Sequence, residues 1–186
     1  HVFNWLCGNG HRRYQGPSGN CKQCGSPTEK EVVWIAKTNP QSTSYRFDHD
    51  LHFQYFNEFK KTEAYKQQLK SGYTETMSLQ GSCFVLSAER YWHLNICDEE
   101  FGSWGAQGTE VACKTWLSGG RCIVNHSTWY AHLFRTQGGD FGFPYKQDNK
   151  QIQKARDFSQ ELFLDNKWPL QKYPLIWLVD SFGPVP

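Results

Sequence analysis

The chain has 186 residues, is 38% hydrophobic and 16% aromatic, and carries eight Trp, enough to bury one sizeable aromatic core with room for a small satellite module. Its formal net charge is +2 with basic and acidic residues interspersed, so it lacks the basic stripe that would neutralise a phosphate backbone, and generic nucleic-acid binding is not expected. No apolar run approaches the roughly 20 residues of a membrane span, and the start HVFNWLCGNG lacks the regions of a secretory signal, so a soluble, cytoplasmic chain is expected. The first residue is His1 rather than Met, which suggests a trimmed product or a piece of a longer protein.

Residues 1–30 read as a metal-stapled module. Cys7, His11, Cys21 and Cys24 form C-x3-H-x9-C-x2-C, with Gly8, Gly10, Gly16, Pro17 and Gly19 supplying tight turns. Tetrahedral Zn²⁺ takes four thiolate or imidazole ligands, and two close pairs on a short loop can present them from opposite sides. A closed four-ligand set implies a structural ion. The competing reading is loop cysteines beside a surface His. Disulfides are disfavoured: the seven Cys are an odd number, and Cys83, Cys97, Cys113 and Cys122 read as scattered core thiols. Val2 to Leu6 and Glu31 to Lys37 are expected as strands that lead from the module into the body.

In the body, Ser44 to Phe56 alternates aromatic and polar residues, as an extended segment lining a cleft would. Within it Asp48-His49-Asp50 has the D-x-D form of a metal and diphosphate grip, or that of a solvated turn. Asn57 to Leu69 is composed of helix formers, stopped by Ser71-Gly72. Cys83 to Leu86 predicts a buried strand after a turn in which Gly81 permits close backbone approach, and Ser87 predicts an N-cap for a helix Ala88 to Asn95.

Thr109 is expected to cap a helix Glu110 to Leu117, buried through Val111, Ala112, Cys113, Trp116 and Leu117 and closed by Gly119-Gly120. Glu110 suits the positive end of that helix, as a cap interaction or as a site residue. Arg121 to Asn125 predicts a strand whose exit would carry His126, His132 and Arg135 to the place where open α/β sheets bind ligands. Ile152, Ala155, Phe158, Leu162 and Phe163 recur at helical spacing as a core-facing stripe, and Pro174 to Val179 would pack the tail. The expected division is 1–30 as the zinc knuckle, 31–149 as the body and 150–186 as a terminal helix and tail.

The order MSLQGSCFVLSAERYWHLNICDEEFGSWGAQGTEVACKTWLSGG, followed by YAHLFR, resembles the C-terminal half of a GT-A glycosyltransferase. The likeness is to the polypeptide N-acetylgalactosaminyltransferases and to bacterial and phage relatives in family 2. That family shows Met-x-x-Gly, Trp-Gly-Gly-Glu-Asn-x-Glu, Trp-x-x-Gly-Gly and Gly-His-Val-Phe-Arg in the same order, and RFDHDLHFQY is similar to its Phe-Asp-x-x-Leu-His-Phe segment. The resemblance covers Tyr45 to Tyr145.

It implies an α/β fold, the C-terminal half of a GT-A fold with a zinc-ribbon-like insertion. It also implies a nucleotide-sugar donor, UDP-linked, an unidentified acceptor, and a catalytic Mn²⁺ or Mg²⁺. By the same resemblance His132 would complete the manganese site, Arg135 would neutralise the donor diphosphate and Trp104 would gate the donor pocket. Glu110 would be the second acidic residue of the catalytic turn, and Asp48 and His52 would line the cleft. Three departures stand out: Gln107 replaces the family's Glu, Gly108 replaces the base Asp of inverting relatives, and TQGGDFGFPY lacks their His-Pro-Tyr. The missing carboxylate leans toward a retaining, leaving-group-driven transfer. The N-terminal half that binds uridine has no counterpart in this sequence, so the resemblance implies that it is supplied from outside.

Two function classes follow. One is a metal-dependent glycosyltransferase, or its acceptor-side half. The other is a zinc-ribbon binding module on a non-catalytic transferase-like scaffold, with Arg12, Arg13, Tyr14 and Lys22 as its contacts.

Overall fold

Val2, Phe3 and Trp5 give the first strand the β-branched and aromatic side chains that suit a pleated surface. In the computed structural model, which describes residues 1–102, 104–134 and 148–183, this strand is β1 (Val2–Cys7). It is the centre of an antiparallel three-stranded sheet with β2 (Arg12–Tyr14) and β3 (Thr28–Trp34) on its flanks. Asn4 lies opposite both Tyr14 and Glu31. Arg12 bonds Glu31 with two guanidinium nitrogens at 2.8 and 2.9 Å, and Asn4 donates to the same carboxylate. Arg12 first and Asn4 second hold the Glu31 carboxyl down to about 2. The strand expected to lead into the body thus starts earlier, at Thr28, ends at Trp34 and completes the small sheet.

This sheet belongs to the first of two units, His1–Asn39 with Ala131–Leu133; the remaining described residues form the second.

The second unit opens with a two-stranded ribbon, β4 (Tyr45–Phe47) and β5 (Phe53–Tyr55). The expected continuous helix from Asn57 is broken into a 3-10 turn at Phe59–Lys61 and α1 (Glu63–Leu69). The break is at Thr62, which is extended (ψ 152°) and accepts the Tyr65 N–H on its hydroxyl, a side-chain N-cap stronger than the helix propensity around it. The ribbon of β6 (Tyr73–Glu75) and β7 (Ile123–Asn125) is antiparallel. The described strands therefore form antiparallel pairs only: β7 is the strand expected within Arg121 to Asn125, with His126 just beyond it, but it lies in a two-stranded ribbon rather than in an open α/β sheet.

Ser87 does cap α2 (Ala88–His93), accepting from the Arg90 N–H. Cys83 to Leu86 is not a buried strand: Val85 is 96% exposed and the segment carries no ladder. A short apolar run has no periodicity to separate strand from loop. The central helix α3 (Gln107–Leu117) begins three residues earlier than Thr109 would cap it. The Thr109 hydroxyl instead donates to the Leu51 carbonyl at 3.1 Å, tying the helix to the loop after β4.

The end of α3 follows expectation. Gly119 has φ +91°, its N–H bonds the Trp116 carbonyl, and the Gly120 N–H reaches back to Thr115, a Schellman ending that a left-handed glycine permits. Val111, Ala112, Cys113, Trp116 and Leu117 enter an aromatic core with Phe56, Phe59, Phe101, Phe163 and Phe182. Against it pack α4 (Asn149–Phe163), through Ala155 and Phe163, and α5 (Leu175–Ser181), a helix where the sequence suggested only a packed tail.

Candidate functional site

Two clusters bring chemistry together, one in each unit. In the first, Cys7 ends β1, His11 stands just before β2, and Cys21 and Cys24 lie in the turn before β3. The Gly10 N–H bonds the Cys7 carbonyl and the Gly25 N–H bonds the Cys21 carbonyl, with φ of +81° and +73° at the two glycines. These are two knuckles that turn their cysteines toward one another. The four donor atoms lie within 4.8 Å of one another. His11 Nδ1 is 3.6 Å from Cys7 Sγ and 3.5 Å from Cys21 Sγ, and Cys7 Sγ is 3.7 Å from Cys24 Sγ. A tetrahedron drawn with zinc bond lengths has ligand-to-ligand edges of roughly 3.6 to 3.8 Å. The donor set and its spacing therefore fit a metal ion. The Ser26 hydroxyl and N–H also hold the Cys24 thiol down to about 5, which favours the thiolate a metal needs.

Of the contacts expected for a binding module, Arg12 is committed to Glu31, and Arg13 donates to the carbonyls of Gln15 and Pro17 at 3.2 and 2.5 Å. Tyr14 and Lys22 are exposed.

The second cluster surrounds the start of α3. A Cβ added at Gly108 would stand 2.1 Å from the Leu79 carbonyl oxygen, and one at Gly81 would stand 2.9 Å from the Gly108 nitrogen. No side chain fits at either position while the loop lies there. That contact accounts for glycine where a catalytic Asp was looked for. It also sets the loop against Gln107, whose Nε2 donates to Cys97 Sγ at 3.1 Å. Tyr130 joins the loop through its hydroxyl, 2.6 Å from the Ser82 hydroxyl and donating to Gln80 Oε1 at 3.3 Å.

Glu110 is turned inward, 1% exposed. Its carboxylate accepts from Lys114 Nζ at 2.8 Å and from the Asp98 N–H at 3.0 Å. Lys114, 0% exposed, also donates to the Asn95 carbonyl at 2.6 Å, lies 3.5 Å from Asp98 Oδ2 and stands over the Phe101 ring. Burial pushes the Glu110 carboxyl above its ordinary value, against the opposing pull of Lys114 and the Asp98 N–H. The arrangement anchors a loop in which Asn95 and Cys97 take positive φ. Lys114 and Asp98 escaped the sequence reading, although the Glu110/Lys114 spacing of one helical turn was a signal for the pair.

Trp104 is half exposed, between Gly102 and Gly105, both at positive φ. Asp48 is engaged within its own turn. Its Oδ1 accepts the N–H groups of Asp50 and His52, and its Oδ2 accepts from Gln54 and pairs with His52 Nδ1 at 3.5 Å. Burial alone would raise that carboxyl; the His52 N–H, Gln54 and the Asp50 N–H outweigh it and hold it low. His132 is exposed and groups with the first unit. Arg135 and the run to Tyr145 lie outside the described residues. Among the described residues, Cys7, His11, Cys21 and Cys24 are the one group of three or more candidate ligands, and His132 is not a member of it.

No protein-family model matches the chain, and no solved structure matches it. It is 28% identical over 137 residues to a Drosophila melanogaster protein provisionally named polypeptide N-acetylgalactosaminyltransferase 13, an alignment covering 69% of this chain and 23% of that protein. Over 92 residues it is 29% identical to polypeptide N-acetylgalactosaminyltransferase 8 of the same organism, covering 47% of this chain and 15% of that one. The chain is thus a distant relative of these transferases and spans less than a quarter of their length. No helix among the described residues is long and apolar enough to cross a membrane.

Proposed function

We propose that the second unit carries part of the sugar-binding surface of a glycosyltransferase that uses a nucleotide-sugar donor, with N-acetylgalactosamine as the first sugar to test. The observation that carries this reading is the Gly81 to Gly108 approach. It fixes Gln80, Ser82, Tyr130 and Gln107 around one backbone contact. Amide and hydroxyl groups beside an aromatic ring are the chemistry that holds a sugar: they exchange neutral hydrogen bonds with its hydroxyls and cover its apolar face. The distant likeness to N-acetylgalactosaminyltransferases supports the same reaction class.

On this reading Gln107 and Trp104 border the sugar, Arg135 meets the diphosphate, and Asp48 and His52 shape the cleft through their turn. Glu110 acts from beneath, fixing the loop with Lys114, and Gly108 supplies no base, which favours departure of the diphosphate as the driving step. His132 is read as the ligand of a divalent ion completed from outside the described residues, and no step is derived through that ion. The cluster of the first unit is read as a structural Zn²⁺ site: three thiolates and an imidazole at tetrahedral spacing select a borderline-soft ion.

Saturation-transfer NMR with UDP-N-acetylgalactosamine tests the reading. Signal is expected on the N-acetyl and ring protons, and weaker in a Gln80→Ala/Ser82→Ala variant. Absence of transfer to the sugar, with or without Mn²⁺, would reject it.

A further inference from the structure

Every residue from His1 to Asn39 is described, and Cys7, 3% exposed, is the single buried one among them. The hydrophobic core of the molecule begins at Phe47 and takes no member from this stretch. Even β1, the middle strand of its sheet, has five of its six residues only half covered. Phe3 and Trp5, both half-buried, meet edge-on at 5.5 Å, with the Lys30 ammonium over both rings. A sheet this small and this open cannot offset the chain entropy of its own ordering by apolar burial, and units of this size need a staple. The four-ligand cluster lies at the strand ends and contains the one buried side chain, Cys7. Cys7 fixes the end of β1, His11 the entry to β2, and Cys21 with Cys24 the entry to β3, so one ion would tie all three strands.

We infer that the first unit folds around its metal: the ion at Cys7, His11, Cys21 and Cys24 replaces a hydrophobic core, and its removal unfolds Val2–Trp34 while the second unit stays folded. This rests on the zinc reading of the cluster. It goes beyond it, because a zinc ion can decorate a fold that persists without it.

Hydrogen exchange read by mass spectrometry on the whole 186-residue chain, paired with colorimetric zinc stoichiometry, tests the inference. One equivalent of zinc is expected. Chelation should lower amide protection across β1, β2 and β3 by about 100-fold or more, zinc should restore it, and amides of α3 should not respond. Cys21→Ser should resemble the chelated chain. His11→Cys, which keeps four tetrahedral donors, should retain both zinc and protection, and Cys83→Ser, at an exposed thiol outside the cluster, should change nothing.

If zinc is bound and removed but protection of the sheet persists, the inference fails and the zinc reading stands. A sheet protected in a chain that binds no zinc overturns both. A sheet unprotected with and without zinc overturns the inference as well.

Discussion

Lys114 has no exposure to water, and its Nζ lies in polar company: Glu110 at 2.8 Å, Asp98 at 3.5 Å, the Asn95 carbonyl at 2.6 Å and the Phe101 ring. Such a group is worth little as a net gain over an apolar pair of the same size, but breaking it on one side is costly, because the survivor is left charged and unsolvated. Lys114→Met should therefore destabilise the second unit by about 3–5 kcal/mol, whereas Glu110→Leu with Lys114→Met should recover at least half of that loss. Urea denaturation of the singles and the double decides it. A single-mutant cost below about 1 kcal/mol would mean that water reaches the pair. Glu110 also shows the limit of a one-dimensional reading. Its place in the first turn of a helix and its one-turn spacing from Lys114 were legible, but the burial of the carboxylate against the Asp98 N–H was not.

At the scale of elements, the Ser87 cap, the Gly119-Gly120 ending and the apolar face of α3 were legible because each depends on a few neighbouring residues, although the equally local Thr62 cap that splits the 57–69 segment was not. The misplaced start of α3 has a different cause. The N-terminus of α3 is set by Thr109 reaching Leu51 and by Gly108 lying on Leu79, contacts far apart in sequence. The four candidate metal ligands were legible because their spacing is itself the geometry of two knuckles, while Gln80, Ser82 and Tyr130 met only through the fold. The β6–β7 ribbon offers a test of this kind of long-range fit. His126, just beyond β7, has its Nε2 2.9 Å from the Thr74 hydroxyl and its ring edge-on to Tyr65. Burial, and then the nearby Lys60, hold its imidazole below the ordinary value. The folded chain therefore binds this proton less readily than the unfolded chain, whose His titrates near about 6.5. The His126 contribution is complete above that pH and declines as pH falls through the window beneath it. Denaturation midpoints between about pH 7.5 and 5 should fall more steeply for the parent chain than for His126→Gln, and parallel curves would remove His126 as the cause.

For the molecule as a whole, the two units rest on different physics, and this predicts how each responds to its surroundings. The second unit is held by an aromatic core that takes no member from residues 1–39 and has no reason to sense zinc. The first unit, if the ion stands in for a core, is stabilised by ligand binding to its folded state alone. Its unfolding free energy should then rise by about 1.4 kcal/mol for each tenfold increase in free zinc above the dissociation constant. Thermal melts in zinc buffers can follow this with the ring protons of Trp5 and Trp34 reporting on the first unit and those of Trp116 and Trp168 on the second. The expected result is a midpoint for Trp5 and Trp34 that climbs with free zinc while that for Trp116 and Trp168 stays fixed. If all four move together, the units unfold as one cooperative body, and the zinc ion contributes to the stability of the aromatic core as well as to that of its own sheet.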